Sequence, residues 1–206
     1  MEIKAGVAQY VRPENQAINE RAVAELEASG IVDRILPVGA RAPEFTLPDQ
    51  NGKIVSSADL LAKGKLVIDF YRGRWCPFCV TELETYRDMH EEIKASGTSL
   101  IAISPQTVKH SAFTADQHKL RFPVLSDTGN KLARQFGLVY SVPAYQEQLF
   151  RSVFINLPLT NGDDTWELPL PATYVIDTDR TVLFAEAFSD YTRRPEPSEP
   201  LNIVNE

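Results

Sequence analysis

The chain has 206 residues, of which 43% are hydrophobic and 24% are charged, and this composition is typical of a globular protein. Its formal net charge of −7 argues against nucleic acid or an anionic membrane surface as the main partner. The beginning of the chain contains many charges and no apolar run, and no later stretch approaches the roughly 18 apolar residues of a membrane span. We therefore expect one main domain in the cytoplasm, without a signal peptide or a transmembrane helix.

The first predicted elements are a helix, a hairpin and a buried strand. Apolar residues recur at a roughly 3.6-residue period over 13–36, which predicts an amphipathic helix. The segment 43–57 predicts two short strands around a turn at Asn51-Gly52. The run KLVIDFY at 65–71 is mostly apolar and rich in strand formers, which favours a central strand.

Strands and helices alternate in the rest of the chain. A helix is predicted from Pro77 to Gly97, because apolar residues recur there at helical spacing. Further helices are expected at about 107–120 and 128–137, and further strands at 99–103, 152–157, 172–177 and 181–187. The last two strands should form a hairpin, and the proline-containing segment from Arg193 onward should be loose. This order predicts an α/β fold with a central mixed sheet flanked by helices.

The only two cysteines, Cys76 and Cys79, stand in the stretch RGRWCPFCVTEL, where a strand is followed by a helix. Free N–H groups and the helix dipole stabilise a thiolate at such a junction and lower cysteine pKa values to about 3.5–7.5. Arg72 and Arg74 add positive charge nearby, and Pro77 suits the first helical turn. Because both sulfurs can reach disulfide distance across one turn, the motif predicts that one thiolate attacks and the other resolves.

Two other uses of the cysteines were considered. They could be small buried apolar side chains, or half of a zinc site. A structural zinc site needs four ligands, and His90, His110 and His118 do not show the usual paired spacing. The glycines form no phosphate-binding loop either. We therefore predict neither a metal nor an organic cofactor, and we favour redox chemistry, since structural disulfides are rare in the cytoplasm.

The sequence around the cysteines resembles the thioredoxin superfamily, and more narrowly the peroxiredoxin-like redoxins of the alkyl hydroperoxide reductase/thiol-specific antioxidant group. The stretch at 38–73, which contains PEFTLPDQNG, is similar to the start of that domain. CVTEL at 79–83 resembles the group's Cys-Thr-Thr-Glu-Leu stretch, and FPVLSDTGNKLARQFGL is similar to a later segment. The resemblance implies a thioredoxin-like domain at 38–195, with an N-terminal helical extension at 1–37 and a tail at 196–206.

The chain departs from the pattern of this group at its active site. The group has P-x-x-x-T-x-x-C, in which the cysteine attacks peroxide, and Cys79 occupies that position. Cys76 stands at the threonine position and Arg72 at the proline position. The group's later active-site arginine corresponds to Pro171. A first CxxC cysteine and a proline before a strand are instead features of thioredoxins, so the resemblance implies a cis Leu170–Pro171 bond facing the disulfide.

The resemblance leaves two assignments open. In the peroxiredoxin assignment, Cys79 attacks a hydroperoxide and becomes a sulfenic acid, and Cys76 condenses with it. Arg72 or Arg74 would then replace the missing arginine and polarise the O–O bond. In the thioredoxin assignment, Cys76 attacks a disulfide and Cys79 resolves the mixed disulfide. We favour a peroxidase whose partners are a hydroperoxide and a thioredoxin- or glutathione-type reductant; a general thiol–disulfide oxidoreductase and a redox sensor are the alternatives.

The neighbours of the cysteines have predicted places as well. We interpret Trp75 as an apolar lid over the motif and Phe78 as an exposed ring that could touch a protein partner. Asp69 is one residue too far from the motif to match the buried aspartate of thioredoxins, which favours a place at the sheet surface or in a polar pair. Glu82 is interpreted as a favourable first-turn side chain. The segment 13–36 packs on the core or forms a homodimer contact.

Overall fold

The protein is built around one central sheet that is packed on both faces. The computed structural model describes residues 12–205. The strands are β1 (Thr46–Pro48), β2 (Ile54–Ser56), β3 (Leu66–Phe70), β4 (Ser99–Ser104), β5 (Val124–Ser126), β6 (Val139–Ser141), β7 (Glu167–Pro169), β8 (Ala172–Ile176) and β9 (Val182–Ala187). The central sheet has the order β5-β4-β3-β8-β9, and β1-β2 and β6-β7 form two small antiparallel sheets. β3, β4 and β5 are parallel, whereas β8 is antiparallel to both β3 and β9. The predicted mixed α/β sheet is therefore confirmed.

Helices cover the sheet. They are α1 (Pro13–Ala28), α2 (Ser57–Leu61), α3 (Pro77–Ala95), α4 (Val108–Gln117), α5 (Lys131–Gln135), α6 (Ala144–Ser152), α7 (Leu157–Asn161) and α8 (Ser198–Asn205). Within residues 12–205, no helix is both long and apolar enough to cross a membrane.

Alternation along β3 explains why its sequence is apolar on both faces. Leu66, Ile68 and Phe70 belong to one apolar cluster, whereas Val67 and the following Tyr71 belong to a second cluster. Successive side chains of a strand point to opposite faces, so a strand between two packed layers needs apolar residues at nearly every position. The predicted central strand is confirmed, and the second cluster is the one that contains both cysteines.

The predicted N-terminal helix is shorter in the structure. α1 ends at Ala28, and Gly30 adopts a left-handed conformation with φ of 64° before a 3₁₀ turn at Ile31–Arg34. Glycine is favoured just after a helix because it adopts this conformation without strain from a Cβ atom. The prediction of one helix over 13–36 is therefore wrong after Ala28.

The strand predicted at 152–157 is also wrong. Ser152 is the last residue of α6, and Phe154 has a left-handed φ of 63° that ends the helical path. The side chain of Asn156 then accepts a hydrogen bond of 3.1 Å from the Leu159 N–H and caps α7. This segment of strand-forming residues thus connects two helices and does not join a sheet.

The C-terminal segment is packed, and the prediction that it is loose is wrong. Leu201 and Val204 of α8 are buried in the same apolar cluster as the cysteines. Lys65 Nζ donates hydrogen bonds of 3.0 Å and 3.3 Å to the carbonyl groups of Ile203 and Val204 near the end of α8. A cation at the C-terminus of a helix satisfies carbonyl groups that have no partner within the helix.

The Leu170–Pro171 bond is trans, because the described residues contain no cis peptide, and the predicted cis bond is wrong. Leu170 N–H donates a 2.8 Å hydrogen bond to the Leu138 carbonyl, and Ala172 already pairs with Phe70 in the central sheet. The chain therefore runs from β7 into β8 without the reversal that a cis bond often serves.

The docking of α8 leads to a stability prediction. Leu201→Ala removes a buried side chain that is 6% exposed, and we expect it to lower the free energy of unfolding by about 2–5 kcal/mol. Leu159→Ala is the matched control, because Leu159 is 67% exposed and its truncation should cost less than about 0.5 kcal/mol. Urea denaturation followed by circular dichroism measures both. Equal stabilities of the two variants would contradict the docked position of α8.

Candidate active site

The two cysteines lie where the loop after β3 enters α3. Cys76 is the N-cap residue of α3, Pro77 is the first helical residue, and Cys79 lies in the first turn. Gly73 in the preceding loop has φ of 144°, and a Cβ atom there would lie 2.6 Å from Nε1 of Trp75. The loop thus requires glycine, and its tight path brings Trp75 back over the helix start.

The two thiol groups are in direct contact. The Sγ atoms of Cys76 and Cys79 are 2.9 Å apart, and both cysteines are free. The residues are 1% and 0% exposed, so the pair is almost sealed from bulk water. A disulfide bond of about 2.05 Å requires only a small further approach of the two sulfurs. The two sulfurs are thus close but not bonded, and the formation of a disulfide between them stays a prediction.

Arg72 is buried beside the pair. The residue is 2% exposed, and its guanidinium lies over the rings of Tyr191 and Trp75, with distances of 4.2 Å and 4.9 Å to the ring centroids. Among residues 12–205, no carboxylate forms an ion pair with it, and its Nε atom has no hydrogen-bond partner. Arginine stays charged in proteins, so this guanidinium presents an uncompensated positive charge.

A second buried arginine, Arg194, contacts the pair from the C-terminal segment. Its Nη2 donates a hydrogen bond of 3.2 Å to Cys79 Sγ. Its Nε donates to Oε2 of Glu82, and both side chains of this ion pair are 3% exposed. Glu82 is therefore a buried partner of Arg194, and its interpretation as an ordinary first-turn side chain is wrong.

These charges separate the pKa values of the two thiols. Burial raises the pKa of Cys76, but the hydrogen bond from Cys79 and the charges of Arg72 and Arg194 outweigh burial and lower it to about 5. Burial, the hydrogen bond with Cys76 and the charge of the Cys76 thiolate raise the pKa of Cys79 well above its ordinary value. These opposite directions favour the thiolate form of Cys76 and the protonated form of Cys79.

Asp69 is a further buried acid in this cluster. It is 1% exposed, and neither carboxyl oxygen has a hydrogen-bond partner among the described residues. Burial, with the charge of Glu82, raises its pKa well above the ordinary value, against the opposing charge of Arg194. This favours the neutral form of the carboxyl group. The place predicted for Asp69, at the sheet surface or in a polar pair, is wrong.

A cavity of about 360 Å³ opens beside Cys76. Cys76 and Arg72 line this cavity, and so do the polar residues Asn15 and Asn19 of α1. The apolar lining residues include Trp75, Phe78, Leu149, Phe150, Val153 and Ile155. A small molecule with an apolar group can therefore reach the thiol pair from this side.

Comparison with known proteins identifies the family of this chain. A model of the AhpC/TSA family matches residues 38–185, which is well over half of the chain. The chain belongs to the AhpC/TSA family. The matched region of this family member includes β3, both cysteines and β8, whereas α1 and Arg194 lie outside it.

Individual relatives are similar over parts of the chain. A chloroplastic peroxiredoxin Q of Gentiana triflora is 36% identical over 146 residues, covering 70% of this chain and 56% of the relative. A putative peroxiredoxin bcp of Haemophilus influenzae is 38% identical over 103 residues, covering 50% of this chain and 66% of the relative. The chain spans about half the length of the plant relatives that it matches, at 51%, 56% and 53%.

A solved structure shows the same fold. The crystal structure of peroxidoxin BcpB from Mycobacterium tuberculosis superposes with a TM-score of 0.65 and 26% sequence identity. The match covers 82% of this chain and 96% of that chain. The thioredoxin-like peroxiredoxin fold implied by the sequence is therefore confirmed.

The structure also locates the residues at which this AhpC/TSA chain departs from the expected pattern. Pro171, at the position of the expected arginine, lies beside the end of β3, because the next residue, Ala172, pairs with Phe70. Arg194 instead supplies a guanidinium to Cys79 Sγ. Arg194 was not predicted from the sequence, because it is 115 residues from Cys79 and stands in no recognisable motif.

The other predicted neighbours of the motif separate into two groups. Trp75 is half-buried, lines the cavity and packs against the ring of Phe150 at a centroid distance of 5.2 Å, as expected of a lid. Phe78 is only 6% exposed and packs against Tyr191, so the prediction that it is exposed is wrong. Arg74 is exposed and lies over the Phe113 ring, away from the cavity lining.

The described residues contain no group of three or more histidine, cysteine or acidic side chains that could hold a metal ion. The ionisable groups of this site are its thiols, its two guanidinium groups and its buried carboxyl groups. These are groups suited to thiolate attack on a polarised bond.

The role of Arg72 leads to a prediction for the thiol titration. Arg72→Met removes a positive charge beside the thiolate, so we expect the pKa of Cys76 to rise from about 5 by about 1–3. At any pH between the wild-type and the raised pKa of Cys76, a smaller fraction of Cys76 is then thiolate. Thiolate ultraviolet absorbance as a function of pH, corrected with the double Cys→Ser variant, measures the shift.

The matched control for this titration is Arg74→Met, which removes an exposed arginine of the same loop and should leave the titration unchanged. If Arg72→Met titrates at the wild-type midpoint, the charge of Arg72 does not act on the thiol pair.

Proposed function

We propose that this protein is a thiol-dependent antioxidant peroxidase, which reduces hydroperoxides through a disulfide between Cys76 and Cys79. The observation that carries the proposal is the contact of two free thiols at 2.9 Å, next to two buried guanidinium groups. The proteins that are similar to this chain in sequence and in structure include peroxiredoxins, which supports the same chemistry on this scaffold.

The reaction has two chemical steps. A thiolate attacks the distal peroxide oxygen, so that an S–O bond forms, the O–O bond breaks and the sulfur is oxidised to a sulfenic acid. The other oxygen leaves and takes up a proton to become an alcohol, or water when the substrate is hydrogen peroxide. The second cysteine then attacks the sulfenic sulfur, which forms the disulfide and releases water.

The buried charges fit the needs of the first step. Negative charge moves from sulfur to the leaving oxygen, and a positioned guanidinium stabilises charge that develops in a water-poor site. Arg72 lines the cavity and keeps an Nε–H without a partner among the described residues, so it can donate to a peroxide oxygen. Trp75 forms an apolar wall of the cavity, whereas Pro171 is not among its lining residues and its role in the site stays a prediction.

The cycle requires a reductant for the disulfide. A thioredoxin- or glutathione-type thiol would attack one sulfur, pass through a mixed disulfide and leave both cysteines reduced. The CxxC spacing supports this recycling, since it is also the spacing of thioredoxin-type disulfides.

A cytoplasmic location and a homodimer contact through residues 13–36 remain predictions. α1 does contact α6 of its own chain, through a 3.0 Å hydrogen bond between Asn19 and Gln146.

The test is hydroperoxide consumption with thioredoxin, thioredoxin reductase and NADPH. We expect the wild-type chain to turn over hydrogen peroxide or cumene hydroperoxide, and Cys76→Ser/Cys79→Ser to lose this activity. One equivalent of peroxide without reductant should lower the intact mass of the wild type by two hydrogens, as one disulfide requires. Wild-type protein that neither consumes hydroperoxide nor loses two hydrogens would refute the proposal.

A general thiol–disulfide oxidoreductase is the second candidate, because Cys76 is an N-cap residue with a lowered pKa that lines a cavity. Insulin reduction by dithiothreitol separates the two functions. A peroxidase should accelerate it little, whereas rapid insulin reduction together with slow peroxide reaction would favour the oxidoreductase.

A further inference from the structure

We infer that Cys76 attacks the hydroperoxide and that Cys79 resolves the sulfenic acid, which reverses the roles expected from the family pattern. In that pattern the attacking cysteine aligns with Cys79. The inference rests on the proposed peroxidase function and goes beyond it, because it assigns each sulfur atom a separate role. Access, charge and the surroundings of the two sulfurs carry it.

Access differs between the two cysteines. Cys76 is among the lining residues of the 360 Å³ cavity, and Cys79 is not. Cys79 is 0% exposed and lies in the first turn of α3, in the apolar cluster that contains Leu83 and Tyr86. A hydroperoxide that enters the cavity therefore meets the sulfur of Cys76 first.

The charges also differ between the two cysteines. The guanidinium of Arg194 at Cys79 is paired with Glu82, so its charge is largely compensated. Arg72, which lines the cavity together with Cys76, forms no ion pair within the described residues. Arg72 thus presents to the cavity side of the pair a charge that no carboxylate of the described residues compensates, and the pKa of Cys76 is lowered whereas that of Cys79 is raised.

The surroundings of Cys79 suit a resolving thiol. Its Sγ is 2.9 Å from the sulfur that it must attack, and its proton can be donated to the leaving oxygen of the first step. Loss of that proton leaves a thiolate beside Arg194, whose Nη2 is 3.2 Å away. Attack on the Cys76 sulfenic acid then forms the S–S bond, breaks the S–O bond and releases hydroxide, which takes up a proton to become water.

The cavity indicates which hydroperoxides fit this direction of attack. Its walls include the side chains of Phe150 and Ile155 and the indole of Trp75, so an alkyl or aryl group can lie there while the peroxide oxygens reach Cys76 and Arg72. Cumene hydroperoxide, with one aromatic ring, is therefore the probe for the test. Burial of that ring against these apolar walls favours its binding.

Single-turnover reaction of cumene hydroperoxide with the two single variants tests the assignment. Cys79→Ser should still react with the hydroperoxide, carry dimedone on Cys76 and form no intramolecular disulfide. Cys76→Ser should react at least about tenfold more slowly than Cys79→Ser, because its remaining thiol is buried and does not line the cavity. A Cys76→Ser variant that reacts rapidly and carries dimedone on Cys79 would overturn the inference.

A measurement on the wild-type chain guards against misfolded variants. Limiting iodoacetamide at neutral pH should alkylate Cys76 before Cys79, and tandem mass spectrometry of the shared peptide locates the label. Initial labelling of Cys79 would overturn the inference even if the single variants do not fold.

The outcomes also separate this inference from the proposed function. If the wild type reacts with cumene hydroperoxide but the sulfenic acid forms on Cys79, the peroxidase stands and the assignment of roles fails. If the wild type does not react at all, both the proposed function and the inference fail.

Discussion

Two guanidinium groups buried beside two sulfur atoms are the interaction on which the site depends. A thiolate removed from water is unstable unless positive charge lies close to it. Arg72 supplies that charge from the loop after the central strand, and Arg194 supplies it from the C-terminal segment. A buried guanidinium is itself costly, which explains why Arg194 pairs with Glu82 and Arg72 lies over the rings of Trp75 and Tyr191.

This arrangement connects the end of the chain to the chemistry at its centre. Arg194 reaches Cys79 because the segment after β9 folds back over the sheet, where α8 packs on β8 and β9. The apolar cluster beneath α8 is the one that contains Cys76 and Cys79, so the same packing that stabilises α8 excludes water from the thiols. Exclusion of water strengthens every charge interaction in the site. Stability and thiol acidity therefore share one set of contacts.

Much of the fold could be predicted from local pattern. The buried strand at 65–71, the helix from Pro77 and the mixed sheet follow from apolar periods of two or 3.6 residues. The segment 152–157 could not be predicted in this way, because its strand-forming residues are overridden by a left-handed Phe154 and a cap from Asn156. The end of the chain was also missed, since proline content indicates a loose segment only where no apolar face such as that of α8 is buried.

The sequence by itself determined the CxxC spacing of the two cysteines and their place between strand and helix, because these depend on neighbours within a few residues. It also indicated the family, through stretches that are contiguous in the chain. Only the tertiary structure decided that Arg194 contacts Cys79, that Glu82 compensates its charge and that Cys76 faces the cavity. These contacts join residues as much as 115 positions apart, and they arise from packing, which leaves no periodic signal in the sequence.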